Sequence, residues 1–474
     1  MVFSSLIFLF GFLPLFFLLY LLSPSRPRFK NNIILLGSLV FYAWGAPKFV
    51  FVLLGSTLID FYLVRWMDQQ EIGIRKKAGL FLSIALNLGL LLYFKYANFF
   101  FENLNELFQA LGLSGFQWTH VILPIGISFY TFQTLSYSID VYRKTAKPLD
   151  QLDAYIMYIM MFPQLIAGPI IRYNEIRPYL SSRKVISDDV LVGVHRFSIG
   201  LAKKVLIANV MGAYVQNSIG GGIPPEFYFL QAWTVILAYA FQIYFDFSGY
   251  SDMAIGLGRI LGFKFPENFN NPYISRSITE FWRRWHITLS RWMKDYLYIP
   301  LGGNRLGQSR TLINLFLVFI ISGLWHGAAW NFVLWGAFHG VFLVLDKLFL
   351  KSLLNRLGLF SVPVTFAIVL FSWVLFRLDN LNQVLSFWFV MVSPNFEVIP
   401  NLSSELLLVG SFSLLFSFLG MVPGILKWQE KFFQAPPKNV FSIILKTGTA
   451  ILLVWLSASQ LTAQSFNPFI YFRF

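Results

Sequence analysis

Residues 312–338 read LINLFLVFIISGLWHGAAWNFVLWGAF. No Lys, Arg, Asp or Glu interrupts this run, yet Trp325-His326-Gly327 places an imidazole in its middle. A run of this length is apolar enough to be read as membrane-embedded helix. A titratable ring kept at that depth is costly and marks a candidate functional site by default. The stretch therefore points to a helical membrane protein whose chemistry centres on His326.

The rest of the chain agrees. Of its 474 residues 57% are hydrophobic and 12% charged, against roughly 25% charged in soluble domains, and the mean hydropathy is +0.63. Apolar runs long enough to cross a bilayer recur at 2–22, 33–66 and 78–100 among others, and no long polar segment is left to fold apart. One membrane domain over 1–474 is expected, although length alone would suggest about three soluble ones. The net charge of +15 raises the question of nucleic acid. The Lys and Arg lie mainly between apolar runs, as the positive-inside rule requires, so nucleic acid is not an expected partner. With no cysteine, thiol nucleophiles, Cys-ligated zinc, iron–sulfur clusters and disulfides are ruled out. There is no P-loop, HExxH or GxSxG motif, and no cluster of His and carboxylates dense enough to predict a metal.

Charge order predicts a topology. Arg26, Arg28 and Lys30 follow the apolar residues 2–22 rather than precede them. That is the reverse of a cleavable signal peptide, so a retained span with a periplasmic N-terminus is expected. Residues 33–66 exceed one span and break at Gly45-Ala46-Pro47, which predicts a hairpin. A cytoplasmic loop 65–77, an outward span 78–100, a polar outer segment 102–120 and a returning span 121–139 follow. Residues 154–171, broken at Pro163 and Gly168-Pro169, suit a re-entrant segment lining a cavity. Residues 190–215, with His195, Arg196, Lys203 and Lys204, suit an interfacial helix. A span over 227–247 runs into the polar residues 246–252. Residues 264–310 hold eight basic and three acidic residues with Trp282, Trp285 and Trp292 among them. This predicts amphipathic helices at the cytoplasmic face with their rings at headgroup level, and a mouth for a phosphorylated donor is the sharper reading of the same charge. Later apolar runs bring the expected total to roughly eleven to thirteen inserted segments, and no repeat of fixed period is visible.

A neutral imidazole near its ordinary pKa can take a proton from a hydroxyl during acyl transfer, and His326 is the first candidate for that role. Hydrogen bonding between helices is its structural alternative. His286 is a second candidate, although an exposed histidine is common on a surface-lying helix. His339, thirteen residues beyond His326, falls near the opposite helical face and reads as structural. His120 and His195 sit near segment ends, where interfacial solvation accounts for them. Asp246 and Asp252, six apart, do not share a face of a regular helix; each is expected to cap or orient. Arg283 and Arg284 offer forks for a phosphorylated donor, or bind anionic lipid headgroups.

Several stretches together resemble the membrane-bound O-acyltransferases: YFDFSGYSD at 244–252, PENF at 266–269 with NPY at 271–273, EFWRRWH at 280–286, LSRW at 289–292, YIPLGG at 298–303 and GLWHG at 323–327. SFYTFQ at 128–133 and FPQLIAGP at 162–169 are similar to the bacterial branch, and the length and NPFIYF at 467–472 most resemble its alginate-acetylating members; the D-alanine exporters of teichoic acid synthesis are shorter relatives. The resemblance covers the whole chain, and its core is 244–327. It implies an all-α fold, a ring of tilted transmembrane and re-entrant helices around a central funnel. It also implies catalytic roles for His326 and His286, with Trp325, Asp246 and Asn271 supporting and Arg283 and Arg284 binding the donor. The implied activity is O-acetylation of an exported polysaccharide at the bacterial inner membrane. Acetyl-CoA is the expected donor, a periplasmic SGNH-type acetyltransferase the expected partner, and no bound cofactor or metal is expected. Acylation of peptidoglycan or teichoic acid on the same fold is the nearest alternative. A secondary transporter, which shares broken helices and buried titratable groups, is the alternative from another class.

Overall fold

The computed structural model describes residues 1–396, 398–463 and 466–470; Tyr471 and Phe472 of the terminal motif lie outside them. Every regular element among the described residues is helical. Seven helices are long and apolar enough to cross a membrane: Phe49–Gln69, Ile74–Ala110, Gln308–His326, Trp330–Arg356, Gly358–Arg377, Ser404–Met421 and Val440–Ala463. Ile7–Leu22 and Leu381–Val392 are shorter apolar helices. The chain is thus a polytopic all-α membrane protein.

Seven is fewer than the inserted segments expected, and the reason is physical. Several other helices are sheathed by protein and carry polar side chains that lipid would not tolerate. Helix Ile127–Tyr142 buries Thr131, Gln133, Thr134, Ser136, Ser138 and Asp140. Helix Phe229–Ile260 runs for 32 residues, buries nearly every position from Ala232 onward, and carries Asp246 and Asp252 in its interior. Neither aspartate caps a helix.

The chain forms two compact units, one of residues 1–185 with 262–265, the other of 186–261 with 266 onward. In the first unit, helices Pro27–Gly45 and Phe49–Gln69 break where Gly45-Ala46-Pro47 predicts. Helices Leu152–Met160 and Phe162–Leu165 break ahead of Pro163, whose ring and missing N–H interrupt the helical ladder. The buried Asp60 joins four elements: its carboxylate accepts from Ser83 Oγ (2.5 Å), Asn87 Nδ2 (3.0 Å) and Tyr155 Oη (2.7 Å), with Ser138 Oγ at 3.4 Å.

The second unit is built on one close crossing. Helix Ser187–Ala202 passes helix Phe229–Ile260 so tightly that a Cβ on Gly200 would lie 2.4 Å from the Gly249 carbonyl oxygen, and one on Gly193 2.6 Å from that of Gly256. Small residues let helix backbones approach this closely where lipid supplies no hydrophobic drive between helices. The approach lets short-range charges meet. Arg196 donates to Asp252 (2.6 and 2.8 Å) and to Glu267 (2.7 Å), and Lys203 reaches the other Asp252 oxygen at 2.7 Å. Residues 190–215 are therefore largely buried in this unit, His195 completely, where an interfacial helix was expected. Burial of apolar side chains on both flanks, rather than headgroup contact, decides their place.

Gly200→Ala is expected to force the two helices apart and to cost about 1–3 kcal/mol, the usual range for overpacking. A lowered thermal midpoint of the detergent-solubilised protein reads this out, and an unchanged midpoint would show that the crossing tolerates a methyl group.

Candidate active site

His286 stands at a break. Helices Ile278–Arg284 and Ile287–Met293 meet there, and its backbone takes the left-handed conformation with φ 44° and ψ 53°. A non-glycine residue in that region carries strain and persists only when its surroundings hold it. Here the extended backbone 268–270 does so: Ile287 N–H donates to the Asn268 carbonyl (3.0 Å), and Asn270 N–H to that of Arg284 (2.9 Å).

The Asn268 side chain then fixes the ring. Its Oδ1 accepts from Thr288 N–H (3.2 Å) and Thr288 Oγ1–H (2.9 Å), and its Nδ2 donates to Ser251 Oγ (3.2 Å). A backbone N–H only donates, so the amide has one orientation. His286 Nδ1, 3.2 Å from the same Oδ1, must therefore carry the proton, which leaves Nε2 as a lone-pair acceptor. No described residue hydrogen-bonds that Nε2. The ring is 0% exposed, and burial pushes its pKa down to about 3, so it stays neutral at physiological pH.

His326 ends helix Gln308–His326 and is 5% exposed. Its ring lies among Trp325 (centroids 4.8 Å), Trp335 (4.9 Å) and Phe376 (5.4 Å), and 6.4 Å from His286. It faces protein, not lipid tails. A cavity with room for about one water-sized sphere borders it, walled by Phe247, Trp285, Trp335, Phe376 and Ile470.

Of the other residues singled out in the sequence, Trp325 joins the pair, its ring 6.0 Å from His286 and 4.8 Å from His326. Asp246 acts one step back: it pairs with Lys204 at 2.7 Å, both side chains at most 3% exposed, and accepts from Ile470 N–H at 2.8 Å. Asn271 is turned to helix Ile425–Gln434, donating to Gln429 Oε1 at 2.9 Å, and neither histidine is its partner. Arg284 is engaged with Glu280 (2.9 Å) and the Asn270 carbonyl (3.1 Å). Arg283 is exposed and has no ion-pair partner among the described residues.

The expected belt of tryptophans is corrected. Trp282, Trp285 and Trp292 are 3–6% exposed and lie in the protein interior, where Trp282 and Trp285 pack against Phe281, Trp335 and Trp373. Apolar periodicity in a basic stretch does not distinguish a lipid-facing ring from one facing a neighbouring helix. His339 is structural as expected: it is fully buried and its Nδ1 accepts from Trp282 Nε1–H at 3.2 Å. His120 is exposed beside Glu102 and Asn98. Asn268, Trp335 and Ile470 were not singled out. For Asn268 the signal was present in PENF, but its action needs the fold that brings Ser251 and Thr288 to it.

Asn268→Ala frees His286 to change tautomer. Loss of a tautomer-fixing partner costs up to about 10⁴-fold in a serine protease, and roughly 10–10⁴-fold loss of acyl transfer is expected here. Asn268→Asp, which keeps an acceptor for Nδ1–H, should fall less. The reverse order in membrane assays would show that Asn268 matters for something other than the tautomer.

A match to the sequence profile of the membrane-bound O-acyltransferase family covers residues 150–376. The probable alginate O-acetylase AlgI of Pseudomonas putida is 39% identical over the whole of both chains. The peptidoglycan O-acetyltransferase of Helicobacter pylori is 37% identical over 85% of this chain and 82% of its own length. The teichoic acid D-alanyltransferase of Bacillus subtilis is 29% identical over 49% of this chain and 61% of its own. With full-length identity to such relatives, a helical membrane fold and two buried imidazoles brought together by it, this chain belongs to the membrane-bound O-acyltransferase family.

Proposed function

We propose that this acyltransferase moves an acetyl group from acetyl-CoA, arriving on the cytoplasmic side, across the bacterial inner membrane for O-acetylation of an exported polysaccharide. Alginate, the polymer for which the full-length relatives are named, is the proposed acceptor. The acetyl group passes outward directly to polymer or through a periplasmic SGNH-type partner, and the N-terminus is periplasmic. The observation that carries the reading is the His286–His326 pair, ring centres 6.4 Å apart inside an aromatic cage.

The two rings divide the work. A base is most effective when its pKa lies near the working pH, and His286, near 3, is poorly matched to that task. Its fixed Nε2 lone pair suits it to accept from a second hydroxyl of the acceptor, next to the one that His326 deprotonates. His326 takes the hydroxyl proton as the oxygen attacks the thioester carbonyl, and the CoA thiolate leaves. The thioester is already activated, so general-base help of about 10²–10⁴-fold suffices, and the reading requires no bound cofactor or metal. Arg283, with the nearby exposed Arg291 and Lys294, supplies the charge that attracts the donor's phosphates.

His326→Ala is expected to lower polymer acetylation in isolated membranes by about 10²–10⁴-fold while the protein remains inserted and folded; acetylation at the unsubstituted level would refute the assignment. Arg283→Gln should raise the apparent KM for acetyl-CoA at moderate salt without altering thermal stability. Arg284→Gln, which strands Glu280 and a carbonyl, should lower stability instead. A donor KM indifferent to Arg283 would remove it from the donor site.

A further inference from the structure

The cavity beside His326 has room for about one water-sized sphere, close to the size of one methyl group. Most of its wall cannot yield: Trp335, Trp373 and Phe376 contact one another at centroid distances of 5.1–6.2 Å within the main apolar core. Ile470 differs. It comes from an irregular segment far along the chain, and that segment is clamped residue by residue. Asn209 Nδ2 donates to Asn467 Oδ1 (3.3 Å), Lys204 Nζ reaches the Pro468 carbonyl, Phe469 packs on Tyr250 (4.7 Å), and Ile470 N–H donates to Asp246 (2.8 Å). The Lys204–Asp246 ion pair behind this clamp is almost wholly buried. A buried pair is an expensive way to gain stability but an effective way to fix a register. What this register delivers is one aliphatic side chain to the wall of the space beside the imidazole.

We propose that this cavity seats the methyl of the transferred acetyl group and that Ile470 is the residue that limits the acyl chain to two carbons. The inference rests on the acyl-transfer reading given above and adds a specificity determinant to it. A pocket filled to the size of a methyl excludes each further methylene by the cost of overpacking. Hydrophobic pockets discriminate by about 10–200-fold per methylene. Ile470 belongs to the same apolar core but is not one of its mutually packed aromatic rings, so trimming it enlarges the space while those ring contacts remain.

The test compares acetyl-, propionyl- and butyryl-CoA as donors for membranes carrying the full chain, with the acyl group on the polymer identified by mass spectrometry. Ile470→Ala is expected to raise the butyryl-to-acetyl ratio of kcat/KM about 10–100-fold. Ile470→Val, which removes one methyl group, should raise the propionyl-to-acetyl ratio several-fold and serves as the readout if the alanine variant is inactive. An Ile470→Ala protein that still transfers acetyl with the original donor preference overturns the proposal. So does an Ile470→Val protein with an unchanged ratio, or one that transfers nothing. Failure of the unsubstituted protein to transfer acetyl would instead count against the acyl-transfer reading itself, so the two failures are separable.

Discussion

The candidate site depends on an amide that cannot turn. Asn268 takes Thr288 N–H and Oγ1–H on one atom and gives its own N–H to Ser251 from the other, so three hydrogen bonds from two helices fix a single orientation. In a protein interior an unmade hydrogen bond costs about 1–3 kcal/mol, and reversing this amide would break several at once. The consequence passes to His286, whose Nδ1 must donate and whose Nε2 must accept. It passes also to the backbone, because the left-handed turn at His286 is held by the bonds from Ile287 and Asn270 that flank the same asparagine.

A second constraint places the first. Four glycines let helix Ser187–Ala202 and helix Phe229–Ile260 touch backbone to backbone, and only at that distance do Arg196, Lys203 and Lys204 reach carboxylates on the longer helix. Buried charges are tolerated when each is paired and further hydrogen-bonded, and that condition is met twice. Asp252 answers Arg196 and Lys203; Asp246 answers Lys204 and spends its second oxygen on Ile470 N–H. For Asp252, burial works against the charged form, but the two cations outweigh it and hold the carboxyl below its ordinary range. The pairs thus convert one helix crossing into a fixed position for the segment 467–470.

Much of this architecture was legible in the sequence for definite reasons. Gly45-Ala46-Pro47 and Pro163 read as breaks because proline lacks the N–H of the helical ladder, and helices end beside them in the structure. His326 was conspicuous because an imidazole in an uncharged apolar run has a cost that demands a reason. What stayed hidden is whatever depends on which neighbour covers a residue. Trp282 and Trp285 read as a headgroup belt and His195 as an interfacial ring, yet all three are buried; only the packing of helices decides. Asp246 was recognised as an orienting group, but what it orients is 224 residues away, a pairing that no local pattern reveals. Asn271 carries the same motif signal as Asn268, yet one side chain meets Gln429 and the other a histidine.

The aromatic cage around the two histidines reconciles two opposed demands. Excluding water strengthens each fixed dipole aimed at the reacting atoms and protects an activated acyl group from hydrolysis, but it also weakens a base by making its charged form costly. With a single imidazole these effects would conflict. In the proposed reading, two imidazoles of unequal surroundings separate them. His286, sealed at 0% exposure and locked to Asn268, gives up basicity and supplies direction. His326, at the end of its helix beside Trp325, Trp335 and Phe376, is the ring to which the proposal gives the base. The division follows from where the fold puts the two rings, and it explains why a membrane enzyme would keep both in a core otherwise given over to Trp and Phe.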